Sequence, residues 1–265
     1  MRKGYGLKRD LFDERDYKFA AKMIEKVEIP IIDLSPNMPA IVDQLALGSC
    51  TANSTTRAFM YARKAVNVML SRLFQYYKTR EIEGTTSEDS GASNRDAAKS
   101  TNKNGICSEK YMPYDILKFA EEPSLEAVSD ASTKKSLAYY SLSSIDEVFT
   151  SLAKGIPVVI GMDVYESFES KATAKTGVMQ MPVIAERLLG GHSVLIEGKN
   201  DVLKFKRPSL LKRLFNMILG ISTPPSCKGY FKVANSWGAD WGDEGYFYMP
   251  YDYFNHFTYD YWCIM

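Results

Sequence analysis

The sequence predicts an α+β protein of two lobes, on three observations. Helix-period apolar spacing marks the first half of the chain. Glycine-punctuated runs of aromatic and β-branched residues mark the second half. At 265 residues the chain can bury two packed lobes without a disulfide or metal staple.

Residues 1–28 are charge-rich, interrupted by Gly4 and Gly6, and read as an extension ahead of a domain at 29–265. From Ile29 the chain is extended and proline-marked, with Pro30, Pro36 and Pro39 opposing helix. Ala58, Phe59, Ala62, Ala65 and Val66 then recur at helical spacing, and Ser49 is placed to cap that helix. A second helical pattern, SRLFQYYKTREIEG, runs to Gly84, and the polar TTSEDSGASN at 85–94 reads as a loop. Ser93 or Asn94 caps a short helix ending near Gly105, and Ser144 with Glu147 forms a capping box before VFTSLAKG. Strands follow at IPVVIGM (156–162), HSVLIEG (192–198), GYFKVAN (229–235) and GYFYMP (245–250). This order places a mostly helical lobe at about 40–135 and a mostly β lobe at about 136–265, with an insertion at about 199–228.

The insertion carries a short helical pattern near 210–219 whose polar side is basic: Lys204, Lys206, Arg207, Lys212 and Arg213. It reads either as a surface helix at 204–220 that touches a partner or an anionic membrane, or as an amphipathic helix packing on its own domain.

Formal net charge is +1, from 33 basic and 32 acidic residues, which argues against nucleic acid as the main partner. The start of the chain lacks the apolar core of a signal peptide, and the longest apolar stretch, LFNMILGI at 214–221, is too short to span a bilayer. Four cysteines at 50, 107, 227 and 263 include no CxxC pair, so neither a metal site nor a disulfide framework is expected. The expected compartment is the cytoplasm or another reducing one, with packaging or export, if any, by a non-classical route.

An isolated cysteine is usually a small buried hydrophobe. Cys50, however, stands where a helix begins, and the positive end of the helix dipole there favours thiolate. A nucleophilic thiol also needs a base within reach. The chain has two histidines. His256 lies in the aromatic tail YDYFNHFTYDYW, where a structural role is expected, whereas His192 follows Gly190 and Gly191 at the start of a strand. In VANSWGADWGDEGYFYM (233–249), a tight turn stapled by indoles explains the glycines but not the polar Asn235 at a strand end. An amide accepting from one imidazole nitrogen fixes the tautomer and leaves the other nitrogen for a thiol, with Trp237 covering the bond.

Gln44 six residues before Cys50, then GGHSV, then NSWGxxWGxxGY, in this order, resemble the papain-like cysteine proteases. The resemblance spans roughly Ile29 to Tyr248. It implies a two-lobed papain-like fold, with a helical left lobe built on a central helix and a β-barrel-like right lobe. It also implies peptide-bond hydrolysis by an endopeptidase through a thioester acyl-enzyme, on protein or peptide substrates and without cofactor or metal. By the resemblance Cys50 is the nucleophile, His192 its general base and acid, and Asn235 the residue orienting His192. Gln44 is the side-chain donor of the oxyanion hole, beside the Cys50 backbone N–H. The spacing from Cys50 to His192 falls within the ~130–150 residues usual for the family; Asn235 comes later, delayed by the insertion.

The chain departs from the family at Leu47, where a second cysteine is common, and at Thr51, where an aromatic residue usually follows the nucleophile. DSGAS aligns with the family's substrate strip, so Gly91 and Ala92 are expected to pair with an extended peptide. Gly161 and Gly191 are expected in the pocket walls, with Trp237 beside them. The short extension looks like those of bacterial or viral members, and residues 1–28 are expected either to lie over the cleft and restrain activity or merely to add contacts to the lobes. A non-hydrolytic member of the fold, or another thiol acyl-transfer enzyme, are the alternatives.

Overall fold

Helix α1 (Cys50–Ala62) is buried at every position from Cys50 to Met60. Its first turns, CTANSTT, carry short side chains, so neighbouring elements close on it from all sides. Serine, threonine and asparagine are weak helix formers, so packing rather than propensity holds it. In the computed structural model the described residues are 4–14, 16–19, 28–204 and 229–265.

Three helices pack around the first half of the chain. Helix α2 (Arg72–Glu83) starts at Ser71, whose hydroxyl accepts the Phe74 N–H at 3.0 Å, and ends at Gly84 with φ 72°. Helix α3 (Asn94–Lys103) is capped by Ser93 and α4 (Leu125–Ser132) by Ser124. Ser49 occupies the cap position of α1 but makes no capping bond through its side chain. Its hydroxyl lies instead 2.6 Å from the Tyr114 hydroxyl and accepts from Asn53 Nδ2 at 3.0 Å. A distant partner, Tyr114, and Asn53 of the same helix displaced the local cap.

The strands are β1 (Leu7–Lys8), β2 (Ile31–Asp33), β3 (Ala92–Ser93), β4 (Tyr139–Leu142), β5 (Val158–Tyr165), β6 (Leu188–Asn200), β7 (Tyr230–Ala234), β8 (Tyr246–Pro250) and β9 (Thr258–Ile264). Seven form one antiparallel sheet in the order β4-β9-β5-β6-β7-β8, with β2 also paired to β6. Helices α5 (Ile145–Ala153), α6 (Lys171–Thr176) and α7 (Tyr251–Phe257) lie between strands. Ser144 accepts the Glu147 N–H as expected of a capping box, while the Glu147 carboxylate reaches one residue further back, to the Ser143 N–H. The basic helix expected near 210–219 lies outside the described residues. No helix among the described residues is long and apolar enough to cross a membrane.

The sheet is apolar on both faces, which explains strands such as VVI without strict alternation. Val158, Ile160, Val194, Ile196, Phe231, Val233, Phe247 and Met249 fill one core. Val159, Leu195, Ala234 and Trp262 turn the other way and join Phe59, Leu73 and Phe74 of the helices in the second core. The period of two along β6 therefore sends His192 to the strand core's side and Ser193 toward α1. The Ser193 hydroxyl lies 2.7 Å from the Ser54 hydroxyl and donates to Asn94 Oδ1 at 2.7 Å.

A buried ion pair fastens the helices to the sheet. Arg57 of α1 donates Nε to Glu197 Oε1 at 2.5 Å and Nη2 to Glu197 Oε2 at 3.2 Å, while Nη2 also meets the Tyr246 hydroxyl at 2.8 Å and Nη1 meets the Pro39 carbonyl. The pair is nearly sealed from solvent, at 6% and 0% exposure. Glu197→Gln leaves a buried guanidinium without its counter-charge and is expected to destabilise the fold by about 3–5 kcal/mol. A double change of Arg57 and Glu197 to methionine is expected to recover most of that loss, both read from urea unfolding midpoints.

Candidate active site

Cys50 is the first residue of α1 and its thiol is fully buried. Burial pushes the thiol pKa up, against the backbone N–H groups of Ser193, Gly6, Thr51 and Cys50 itself, which point at the sulfur and favour thiolate. Ser193 adjoins His192, so β6 brings the histidine and the helix start side by side.

Asn235 Oδ1 lies 2.8 Å from His192 Nε2 and also accepts the Ser236 N–H at 2.8 Å. The second bond identifies that atom as the carbonyl end of the amide, so Nε2–H donates to it. The Trp237 ring stacks on His192 with centroids 5.1 Å apart and planes at 25°. Trp237 is held in turn against Phe168 and Trp241, and Gly245 (φ 89°) gives its carbonyl to the Asn235 N–H at 3.0 Å. The glycine–tryptophan rhythm thus builds the turn that aims Asn235.

Gln44 is stitched to the same turn. Its backbone N–H donates to the Ser236 carbonyl at 2.9 Å, and its Oε1 accepts from the Ser236 hydroxyl at 2.6 Å. With Oε1 so fixed, Nε2 donates to the carbonyls of Leu47 and Gly4, both at 2.9 Å.

Gly4 belongs to a strap that the chain lays across this site. The Gly6 carbonyl accepts the Ala92 N–H at 2.7 Å, and β1 pairs parallel with β3, Leu7 opposite Ala92. Tyr5 sets its ring edgewise to His192 and Trp237, 6.0 and 6.1 Å between centroids, and donates its hydroxyl to Glu169. Leu7 lies against Gly161 and Gly191. Lys8 pairs with Glu83 at 2.8 Å and Arg9 with Asp163 at 3.0 Å. Asp10 accepts from Trp262 Nε1 at 2.7 Å and the Arg95 N–H at 3.0 Å, and its own N–H donates to Asp260 at 2.8 Å.

Gly91, Ala92, Gly161, Gly191 and Trp237 thus all border the strap, as Cys50, Gln44 and His192 do. His256 is exposed on α7 and takes no part. The sequence reading missed why Gly4 and Gly6 are glycines. A Cβ on Gly6 would run into the Gly48 carbonyl, and one on Gly4 would come within 2.7 Å of the Ala46 and Leu47 carbonyls. A GYG run inside a charged segment was the available signal for so close an approach. Among the described residues no group of three or more His, Cys, Asp or Glu could hold a metal ion.

The model of the papain family of cysteine proteases matches residues 33–260. The chain belongs to this family. A peptidase C1-like protein of Acanthamoeba polyphaga mimivirus is 35% identical over 283 residues, 97% of this chain and 83% of the viral one. Xylellain, a cysteine protease from Xylella fastidiosa, superposes with a TM-score of 0.83 at 31% identity, covering 99% of this chain and 96% of xylellain. Procathepsin B from Trypanosoma congolense superposes at 0.64 with 20% identity, covering 93% of this chain and 80% of its own, a likeness of fold alone. This papain-family protease is therefore a peptidase acting on protein or peptide substrates.

Burial, then the facing Asp260 carboxylate, push the Asp10 carboxyl of this protease up to about 7, against the opposing pull of Arg95 and Trp262. A docked strap holds a proton that a free strap releases near 3.8, so docking is strongest below that value and weakens as pH rises toward 7. Hydrogen exchange of the Ala92 amide, corrected for its intrinsic rate, is expected to lose protection over that window. Asp10→Asn is expected to flatten the dependence.

Proposed function

We propose that this protease is an endopeptidase working through Cys50, His192 and Asn235, with residues 1–28 as a segment that covers the cleft and restrains it. The arrangement that carries the reading is Gln44 Nε2 and the Cys50 sulfur facing one stretch of extended chain, with the Asn235-bound imidazole beside them. Asn235 fixes the tautomer at Nε2, so proton exchange with the thiol runs through Nδ1.

In the proposed reaction the Cys50 thiolate attacks the carbonyl carbon of the scissile bond. The oxyanion takes the Gln44 Nε2–H now given to Gly4, together with the Cys50 backbone N–H. The C–N bond breaks as His192 protonates the leaving amine, and a thioester remains. Water, giving its proton to His192, hydrolyses the thioester, releasing the acid and regenerating the thiol. The strap passes Cys50 with Gly4 and Tyr5 on one side and Leu7 to Asp10 on the other. Polypeptide on both sides of the bond fits an endopeptidase.

The strap itself is spared by its direction. The Gly6 N–H faces the sulfur while the Gly4 carbonyl takes the Gln44 donor, so no single strap carbonyl occupies both positions that attack requires.

Gly6→Ala is expected to expel the strap and raise turnover of a fluorogenic peptide by about tenfold or more in a variant that still folds. Equal turnover in a folded variant would remove the restraining role. Cys50→Ala, in either background, is expected to reduce hydrolysis to the blank; retained turnover would remove the nucleophile assignment.

A further inference from the structure

An extended chain sends alternate side chains to opposite walls of a cleft. Leu7 and Arg9 of the strap share one wall, formed by β5, β6 and β9, while Lys8 turns to Glu83 and Ser90 across the cleft. On β5, Gly161 and Asp163 are two residues apart and so lie on one face; in the sheet they stand opposite Ser193 and Gly191 of β6. Tyr259 of β9 is the register partner of Gly161.

The two positions make a composite surface. A Cβ built on Gly161 would come within 2.7 Å of both Leu7 Cδ2 and the Tyr259 ring, so the glycine makes the room that the leucine side chain fills. Next to it, Asp163 receives Arg9 Nη2 at 3.0 and 3.1 Å, and the guanidinium lies 4.0 Å from the centre of the Tyr259 ring. The carboxylate belongs to the wall, at 17% exposure, and the guanidinium to the strap, at 64%. When the strap leaves, the wall keeps an acid under an aromatic face and loses its counter-ion.

We infer that Asp163 and Tyr259, beside the glycine floor at Gly161 and Gly191, form a recognition site for substrates carrying an arginine two residues from an aliphatic side chain of leucine size. The inference rests on the peptidase reading of the same cleft. A planar guanidinium meets both demands of the wall, pairing with the carboxylate while stacking on the ring, whereas an ammonium meets the first as a point charge. Arg9 occupies that wall in the resting chain, so docking of the strap and of such a substrate exclude each other. Asp163 is thereby a specificity-determining residue, outside the Cys50 and His192 chemistry.

The test uses the full chain carrying Gly6→Ala and internally quenched peptides with arginine and leucine two residues apart, in both orders, each against its citrulline counterpart. Citrulline keeps the shape and removes the charge. In at least one order the arginine peptide is expected to have kcat/KM higher by about fivefold, carried by KM, the range of a partly exposed pair with a stacked cation. Asp163→Asn is expected to bring that ratio to near one, and Asp163→Arg to favour a glutamate peptide instead. An arginine-to-citrulline ratio that is near one, or unchanged by Asp163→Asn, overturns the proposal and leaves Asp163 as a strap anchor. Binding of the same peptides to the Gly6→Ala, Cys50→Ala protein reads recognition without chemistry. Discrimination there without cleavage in the Gly6→Ala chain would sustain the recognition site and refute the peptidase reading instead.

Discussion

Helix α1 has no solvent face along its first eleven residues, and the site follows from that constraint. A helix wedged between a helical layer and a sheet must carry small side chains where the sheet lies closest, hence Ser54 against Ser193. It must also neutralise any charge it takes inside, hence Arg57 with Glu197. The Ser54–Ser193 contact and the ion pair join the same strand, β6, four positions apart. Between them they fix the height at which β6 passes the start of α1, and with it the position of His192 relative to Cys50. The thiol and the imidazole are thus brought together by the packing of two cores rather than by any local motif.

Held this way, the site contains groups that want partners: a donor at Gln44 Nε2, backbone N–H groups around the sulfur, and a bare glycine strip at Gly91. The strap supplies partners for all of them, yet with interactions of modest strength. Lys8–Glu83 and Arg9–Asp163 are partly exposed pairs, each worth at most about 1 kcal/mol. Asp10 is docked beside a second carboxylate, which opposes its ionisation. The Arg57–Glu197 pair is the contrast, since nothing can exchange with it without opening the fold. Strong interactions fix the scaffold and weak ones hold the strap.

Much of this was legible in the sequence because it is written in local patterns. The Asn235–Trp237 turn needs its glycines at fixed offsets, and the strands expected at 156–162, 192–198, 229–235 and 245–250 need β-branched and aromatic residues. Gln44 stands six residues before Cys50, although Leu47 between them and Thr51 beyond depart from the family's pattern. Residues 1–28 were expected either to lie over the cleft or merely to add contacts to the lobes, and residues 4–10 border Gln44, Cys50 and His192. What escaped was long-range. Ser49 had the right identity for a cap, but Tyr114 and Asn53 engaged its hydroxyl. The aromatic tail gave no strand signal, yet β9 places Trp262 between Asp10 and the helical core and Tyr259 over the pocket. Asp163 lies just beyond the strand expected at 156–162, and its partner is at position 9, far away in sequence.

Gly4 and Gly6 show why chain direction matters as much as fit. A peptide can satisfy a cleft running either way, since an extended backbone offers N–H and C=O groups alternately on both edges. With the strap parallel to β3, the Gly4 carbonyl reaches Gln44 while the Gly6 N–H reaches the sulfur, two residues apart. In the proposed reaction a substrate must instead place one carbonyl group at both points, its carbon at the sulfur and its oxygen at Gln44. On that reading the strap divides between two peptide units what a substrate presents with one carbonyl group. Glycine at both positions lets the backbone come close enough for this, because any side chain would lift it off the floor formed by Ala46, Leu47 and Gly48.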